Sequence, residues 1–118
     1  MLFSISVDHD PKFLQITCVG RATVADWFGV LNFAAAVGRR SGERRVLIDM
    51  LTVDFNLSPE ERDEIGRFGA EVLSGFDRVA SVIPSALYTG RAERTAQQRG
   101  LAVRSFPELQ PAVRWLAE

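Results

Sequence analysis

Four polar side chains that could carry chemistry lie within residues 44–65, RRVLIDMLTVDFNLSPEERDEI. Asp49 and Asp54 flank the loop that follows an apolar run, and Asn56 and Ser58 stand just before the next predicted helix. Two carboxylates at one cleft can act as general acid and base, or contribute to a metal site. A serine hydroxyl can accept a phosphate. Asp54, Asn56 and Ser58 therefore form a candidate interaction loop or phospho-switch.

Ser58 also has a complete explanation as a helix cap. Ser58, Pro59 and Glu61 have the spacing of a capping box, with proline at the first helical position. A phosphate on Ser58 would meet the favourable end of the helix dipole but would also face Glu60, Glu61 and Asp63, which repel it. We favour capping alone over a phospho-switch.

The other reactive residue types lack partners. No further ligand types cluster near Asp49 and Asp54, so we interpret them as solvated strand-end carboxylates rather than as a catalytic or metal pair. His9 is the only histidine and lies in a turn, where neither a triad nor a zinc site can be assembled from it. Cys18 is the only cysteine and is interpreted as a buried apolar residue. We expect no cofactor and no enzymatic activity.

Two arginines form a candidate anion site. Arg91 and Arg94 are three residues apart near the start of the third predicted helix, where free backbone amides can help to hold a phosphate or carboxylate. The alternative is a solvated helix face, paired with Glu93 and similar residues. We favour the solvated face.

Composition and charge limit the function classes. A chain of 118 residues is expected to form one domain over 1–118, large enough for its own core. A net charge of −1 gives no attraction to nucleic acid, and the apolar runs are too short to cross a bilayer. The first residues do not resemble a signal peptide, and one cysteine suits a reducing compartment, so we expect a cytoplasmic protein.

Hydrophobic periodicity predicts the order β-β-α-β-α-β-α-β-α. Two alternating runs form an antiparallel hairpin, and later strands alternate with helices, which requires a mostly parallel five-stranded sheet with four helices. Thr23 and Asp26 predict a capping box for the first helix. The predicted strands are 2–7, 13–19, 46–50, 79–83 and 102–106. Of the three later helices, one is capped by Ser58 and the other two span 86–99 and 108–117.

The first predicted helix is apolar on more than one side. Its inward stripe consists of Val24, Trp27, Phe28, Leu31 and Ala35. A second stripe, Val30, Phe33 and Val37, lies nearly opposite. A helix that is apolar all round is either buried by its neighbours or contacts a partner. Burial by neighbouring helices and burial in a homodimer both remain open.

These elements give the chain a family resemblance. The opening hairpin, VLIDM with its loop and capped helix, the segment RVASVIPSALYTGRAER and the ending VRSFPELQPAVRWL resemble the SpoIIAA-like group of STAS domains, and small bacterial proteins related to STAS and CRAL-TRIO domains. The resemblance implies a SpoIIAA-like α/β fold. Anti-sigma antagonists of this family carry a phosphorylatable serine in a DSSG-like motif, where this chain has DFNLSPEE with Ser58 as the nearest serine.

The sequence therefore supports two functional hypotheses. The leading one is a non-enzymatic regulatory or protein-interaction module of STAS-like fold, which binds a protein partner or a second copy of itself. The alternative is a carrier of a small apolar or anionic ligand, or a lipid, in the CRAL-TRIO manner, with Arg91 or Arg94 at the head group. An enzyme would require Asp49, Asp54, Ser58 and Tyr88 to converge.

Overall fold

The computed structural model describes residues 2–118 and has the predicted order of strands and helices. Its elements are β1 Ser4–Asp10, β2 Phe13–Arg21, α1 Val24–Ser41, β3 Arg45–Asp54, α2 Pro59–Val72, β4 Arg78–Val82, α3 Arg91–Gln98, β5 Val103–Phe106 and α4 Leu109–Ala117. A short 3₁₀ turn, Ser85–Leu87, precedes α3.

The five strands form one sheet in the order β1-β2-β3-β4-β5. β1 and β2 pair antiparallel as the predicted hairpin, and every later pairing is parallel. The register of β2 against β3 shifts by one residue near Cys18, where β3 contains the extra residue. The Thr52 hydroxyl donates to the Cys18 carbonyl oxygen at 3.1 Å beside this bulge. The predicted fold class, mostly parallel with an antiparallel first pair, is confirmed.

Both predicted capping boxes are present. The Thr23 hydroxyl accepts a hydrogen bond from the Asp26 backbone N–H at 3.3 Å, and the Asp26 carboxylate accepts one from the Thr23 N–H at 2.8 Å. Ser58 and Glu61 repeat the arrangement at the start of α2. These bonds satisfy amides that the first helical turn leaves without intrahelical partners.

Helices cover the two faces of the sheet unequally. α1, α2 and α3 pack in that order on one face, and α4 alone lies on the other, against β3, β4 and β5. Arg45 and Arg78 hold the end of α4, because they donate to the carbonyl oxygens of Glu118 at 2.9 Å and Trp115 at 2.5 Å. The outer face of β1 is left open and carries Ser4 and Ser6, whereas Phe13 of β2 is buried in the core under α4.

Two predicted elements differ from the structure. The third helix is eight residues long rather than spanning 86–99, because Gly90 adopts a left-handed conformation (φ +79°) and interrupts the chain between the 3₁₀ turn and α3. The central strand has ten residues instead of ending at Met50. Asp49 therefore lies inside β3.

The second stripe of α1 is largely covered by the chain itself, which is one of the two alternatives that the sequence leaves open. Val30 is fully buried in the core, and Val37 is half-buried against it. Phe33 remains 36% exposed. Val30 cannot contribute to an interface because the chain's own core already covers it. The helical periodicity placed it near Phe33 but did not show how far round the helix the core extends.

Two glycines of α1 offer a matched pair of substitutions. A Cβ on Gly38 would clash with the ring of Phe76, which is itself buried, whereas a Cβ on Gly29 would meet no atom within 4 Å. We expect Gly38→Ala to lower the free energy of unfolding by about 1–3 kcal/mol through overpacking. Gly29→Ala should raise it by about 0.5–1 kcal/mol because alanine favours the helix. Urea unfolding of both variants checks this, and equal effects would contradict it.

Candidate functional site

The carboxyl ends of β2 and β3 meet at one edge of the sheet. Arg21 and Asp54 are register partners there, and a guanidinium nitrogen of Arg21 lies 3.5 Å from a carboxylate oxygen of Asp54. Both side chains are exposed, so the pair orients the two groups without contributing much stability. The Ala22 N–H donates to the Asp54 carbonyl oxygen at 2.9 Å. This edge leads the chain into α1 on one side and towards α2 on the other.

The loop between β3 and α2 is anchored by alternate residues. Phe55 and Leu57 are buried, and Asn56 between them is exposed. The Phe55 ring packs edge-on against Trp27 of α1, with centroids 5.3 Å apart, and the Arg62 guanidinium lies 5.6 Å from the same ring's centroid. Asn56 is therefore held outward by a loop whose neighbours are fixed in the core.

A surface groove runs between this loop and the start of α1. We call it the loop groove; its volume is about 520 Å³. Its lining is Arg21, Ala22, Thr23, Val24, Asp54, Phe55, Asn56, Leu57 and Glu61. The groove combines two of the three residues of the predicted interaction loop with the first turn of α1.

Ser58 lies at the end of the loop as the N-cap of α2. Its hydroxyl oxygen accepts from the Glu61 N–H at 3.1 Å, and the Glu61 carboxylate accepts from the Ser58 N–H at 2.9 Å. The capping role is thereby confirmed. The residue is exposed, and the phospho-switch stays a prediction.

Asp49 does not join Asp54 in a site. The two are five residues apart on the same extended strand, which separates their Cα atoms by about 15 Å. The Asp49 carboxylate accepts a hydrogen bond from the Leu51 N–H at 3.0 Å. Tyr88, in contrast, lines a cavity on the helix side of the sheet. The convergence that an enzyme of this kind would need is absent, and within residues 2–118 no three His, Cys, Asp or Glu side chains cluster closely enough for a metal.

Arg91 and Arg94, the candidate anion site, lie on α3, where Arg91 is paired with an acid of a neighbouring helix. Arg91 donates from Nε and Nη2 to both carboxylate oxygens of Asp63 on α2, each at 2.9 Å. The Arg94 guanidinium instead lies beside Gly90. The Arg91 guanidinium lowers the pKa of the Asp63 carboxyl below its ordinary value. Pairing with an acid on a neighbouring helix cannot be read from the spacing of arginines along α3.

An apolar cavity lies between the sheet and helices α1 to α3. Its volume is about 90 Å³, far below the ~300 Å³ at which pockets for drug-sized ligands begin. The Tyr88 hydroxyl donates to the Glu93 carboxylate at its edge, and the second Glu93 oxygen accepts from the Ser105 N–H at 2.7 Å. We call this space the inner cavity. It has no room for a lipid tail, which contradicts the lipid form of the carrier hypothesis.

The inner cavity contains residues that sequence reasoning missed. Trp27 was expected only as part of an apolar stripe, yet its buried Nε1–H has no hydrogen-bond partner within residues 2–118. Ser81 and Ser105 also line the cavity. The sequence does offer a signal for the two serines, because each interrupts a predicted strand that should be apolar on its buried face.

Cys18 is a buried thiol without a polar partner in the site. Burial raises the pKa of Cys18 to about 12, with a smaller contribution from the negative charge of Asp49. A thiol with so high a pKa is almost entirely protonated at neutral pH and is therefore a poor nucleophile. The interpretation of Cys18 as an apolar core residue agrees with this position.

Two solved structures are similar to this chain over nearly its whole length. An anti-sigma factor antagonist from Mycobacterium paratuberculosis has a TM-score of 0.69 at 12% sequence identity, covering 99% of this chain and 96% of that one. An uncharacterised DUF3478-family protein with a SpoIIAA-like fold from Shewanella loihica has a TM-score of 0.56 at 20% identity, covering 97% and 93%. This chain has a SpoIIAA-like fold.

The SpoIIAA-like fold confirms the architecture that the resemblance implied. No protein-family model matches the chain, and no curated protein matches it by sequence. At these identities the similarity extends to the fold and not to residue roles. In this SpoIIAA-like domain the β3–α2 loop presents Asn56 and Ser58. Among the helices of residues 2–118, none has the length and apolar character needed to span a membrane.

Removing the cap of α2 should destabilise the protein measurably. Ser58→Ala deletes the acceptor for the Glu61 N–H, and we expect the free energy of unfolding to fall by about 1 kcal/mol. Ser74→Ala, at an exposed serine just after α2, serves as the control and should change little. Urea unfolding compares the two variants with the parent chain. Coincident unfolding curves for all three would contradict the capping role.

Proposed function

We propose that this protein is a non-enzymatic regulatory module that binds a partner protein at the loop groove. The proposal rests on Asn56, which is exposed between buried Phe55 and Leu57. This arrangement gives the SpoIIAA-like domain a preorganised contact loop. Preorganised loops lose less conformational entropy on binding than flexible ones. Similarity over 99% of the chain to an anti-sigma factor antagonist, a protein named for its action on another protein, supports the class of function.

The charge around the loop groove favours a basic partner surface. Asp26, Glu60 and Glu61 lie in the first turns of the two helices, and Asp54 ends β3. Arg21 neutralises only Asp54 among these. Complementary charge speeds the encounter of two proteins and suppresses wrong partners. A partner patch rich in lysine and arginine therefore fits this groove best.

Ser58 could make such binding switchable. A phosphate on its exposed hydroxyl would add negative charge beside Glu60 and Glu61 and would replace the hydroxyl that caps α2. We propose this regulation only as part of the interaction function. It would act on the same surface that Asn56 presents.

Substitution of Asn56 tests the proposed surface. Asn56→Arg adds bulk and a positive charge to the loop groove, so it should reduce binding of a basic partner by at least about tenfold. Gln98→Arg makes the same kind of change on an exposed residue at the end of α3, which runs away from this edge of the sheet. Both should leave the unfolding curve of the chain unchanged.

The measurement is quantitative mass spectrometry of proteins crosslinked to the tagged chain in its native cells. The proposal expects at least one protein to be retained by the parent chain and by Gln98→Arg but depleted with Asn56→Arg. Retention of the same proteins by all three chains would exclude the loop groove as the contact surface. Absence of any retained protein would contradict the interaction module itself.

We also propose a homodimer that uses Phe33. Phe33 follows Phe28 by five positions on α1, and Phe28 packs on Phe68 of α2 with centroids 5.0 Å apart, so Phe33 faces away from α2 towards the β1 edge of the sheet. Its exposed ring and the unpaired outer edge of β1 together offer a self-complementary surface for a second copy.

Native mass spectrometry tests the dimer. The parent chain should appear at twice its mass of 13.1 kDa, and Phe33→Glu should shift it to the monomer because the new charge would be buried. Asn32→Glu places the same charge one position earlier on an exposed residue and should leave the dimer intact. A monomeric parent chain, or a dimer that survives Phe33→Glu, would rule out this arrangement.

A further inference from the structure

The floor of the inner cavity is polar where a buried sheet is normally apolar. Ser81 of β4 and Ser105 of β5 are register partners, and Ile48 of β3 is the next residue in the same row. All three line the cavity. Fully covered parallel strands usually carry valine, isoleucine or leucine at such positions. Ser81 and Ser105 are half-buried, so they give the cavity two hydroxyl groups beside its apolar walls.

Trp27 of α1, which also lines the cavity, contains an unsatisfied donor. Trp27 is only 7% exposed, and its Nε1–H finds no acceptor within the described chain. A buried donor without an acceptor costs about 1–3 kcal/mol, so such groups are rare in folded proteins. A molecule with an acceptor atom inside the cavity would remove that cost.

The charged residues at the cavity edge are already engaged. Arg62 donates to the carbonyl oxygens of Leu57 and Leu87, at 3.4 and 3.2 Å. Glu93 accepts from Tyr88 and from the Ser105 N–H. Arg62 and Glu93 are the charged residues of the lining and have opposite signs, so the lining carries no net charge. The occupant that fits this lining is uncharged.

Volume restricts the size of the occupant. The cavity measures about 90 Å³, between the ~30 Å³ share of one water molecule and the ~150 Å³ of an apolar cavity that accepts benzene. We infer that the inner cavity binds a neutral molecule smaller than benzene, with an apolar body and an acceptor for the Trp27 N–H. Tyr88 both lines the cavity and is 45% exposed, so the entry path runs past its ring.

This inference is independent of the proposed function. The inner cavity lies beneath α2 and α3, and the loop groove lies on the surface beside α1. Phe55 and Leu57 line both. A ligand could be bound whether or not a partner protein is, and failure of either experiment leaves the other unaffected.

Two probes of equal size test the inference by NMR. Tetrahydrofuran and cyclopentane each have five non-hydrogen ring atoms, but only the ether has an acceptor. In ¹⁵N-labelled protein the two tryptophans give two indole N–H signals, from Trp27 and Trp115. Tetrahydrofuran should move the Trp27 proton signal downfield with saturation and leave Trp115 in place. Cyclopentane should perturb Trp27 without the downfield shift that a hydrogen bond produces.

A variant that fills the cavity shows whether the probe binds inside it. Ala96 is buried and lines the inner cavity, so Ala96→Leu should weaken the tetrahydrofuran response at least tenfold. Ala25→Leu makes the same change at an exposed position of α1 and should leave the response intact. If Ala96→Leu does not fold, Ala92→Val, at a half-buried lining residue, provides a smaller filling change.

The outcomes separate clearly. A saturable Trp27 shift that is lost in the filled variant supports the site. Shifts that rise linearly, that affect Trp27 and Trp115 equally, or that persist in the filled variant overturn it. An indole N–H that keeps its contact with water throughout the titration also overturns it, because the cavity would then hold water only.

Discussion

Burial of β3 on both faces is the constraint on which the rest of the structure depends. Val46 and Ile48 enter the core beneath α1, α2 and α3, and Leu47 enters the smaller core beneath α4. A side chain of this size contributes about 1.5–3 kcal/mol when it is fully buried. A strand apolar on both sides must occupy the middle of the sheet. Its carboxyl end is thereby fixed in space, and the β3–α2 loop begins from that point.

Electrostatic pairs then complete a framework that the apolar core has positioned. Asp63 joins Arg91 across the α2–α3 contact, and this close approach needs Gly66, where a Cβ would lie 2.5 Å from the Ala92 carbonyl oxygen. Arg45 and Arg78 hold the carbonyl end of α4, which also favours positive charge through the helix dipole. Arginine therefore links elements that are distant in the chain. On α3, a helix of only eight residues, the Arg91–Asp63 pair adds to the packing of Ala92 and Ala96 against the core.

Local interactions and the order and class of the fold were predictable from the sequence, and side-chain contacts between distant elements were not. The capping boxes at Thr23 and Ser58 depend on residues three positions apart, so their spacing alone revealed them. The partner of Arg91 could not be predicted because Asp63 lies 28 residues earlier in the chain. The burial of Val30 in the chain's own core could not be predicted, because the width of a core depends on neighbouring elements that helical periodicity does not specify. The polar lining of the inner cavity could not be predicted because it forms only when the helices close over Ser81 and Ser105.

The open outer face of β1 has a consequence for strand pairing. α4 packs on β3, β4 and β5 and reaches Phe13 of β2, but it does not cover β1. The outward Ser4 and Ser6 of β1 therefore meet solvent, and the inward row of Phe3, Ile5 and Val7 is packed against the core. A slip of one residue would turn that row to water and push the serines under α1. On β1 the alignment is therefore specified by a single row of three apolar side chains, and an apolar residue introduced on its outer face would weaken the penalty against the wrong alignment.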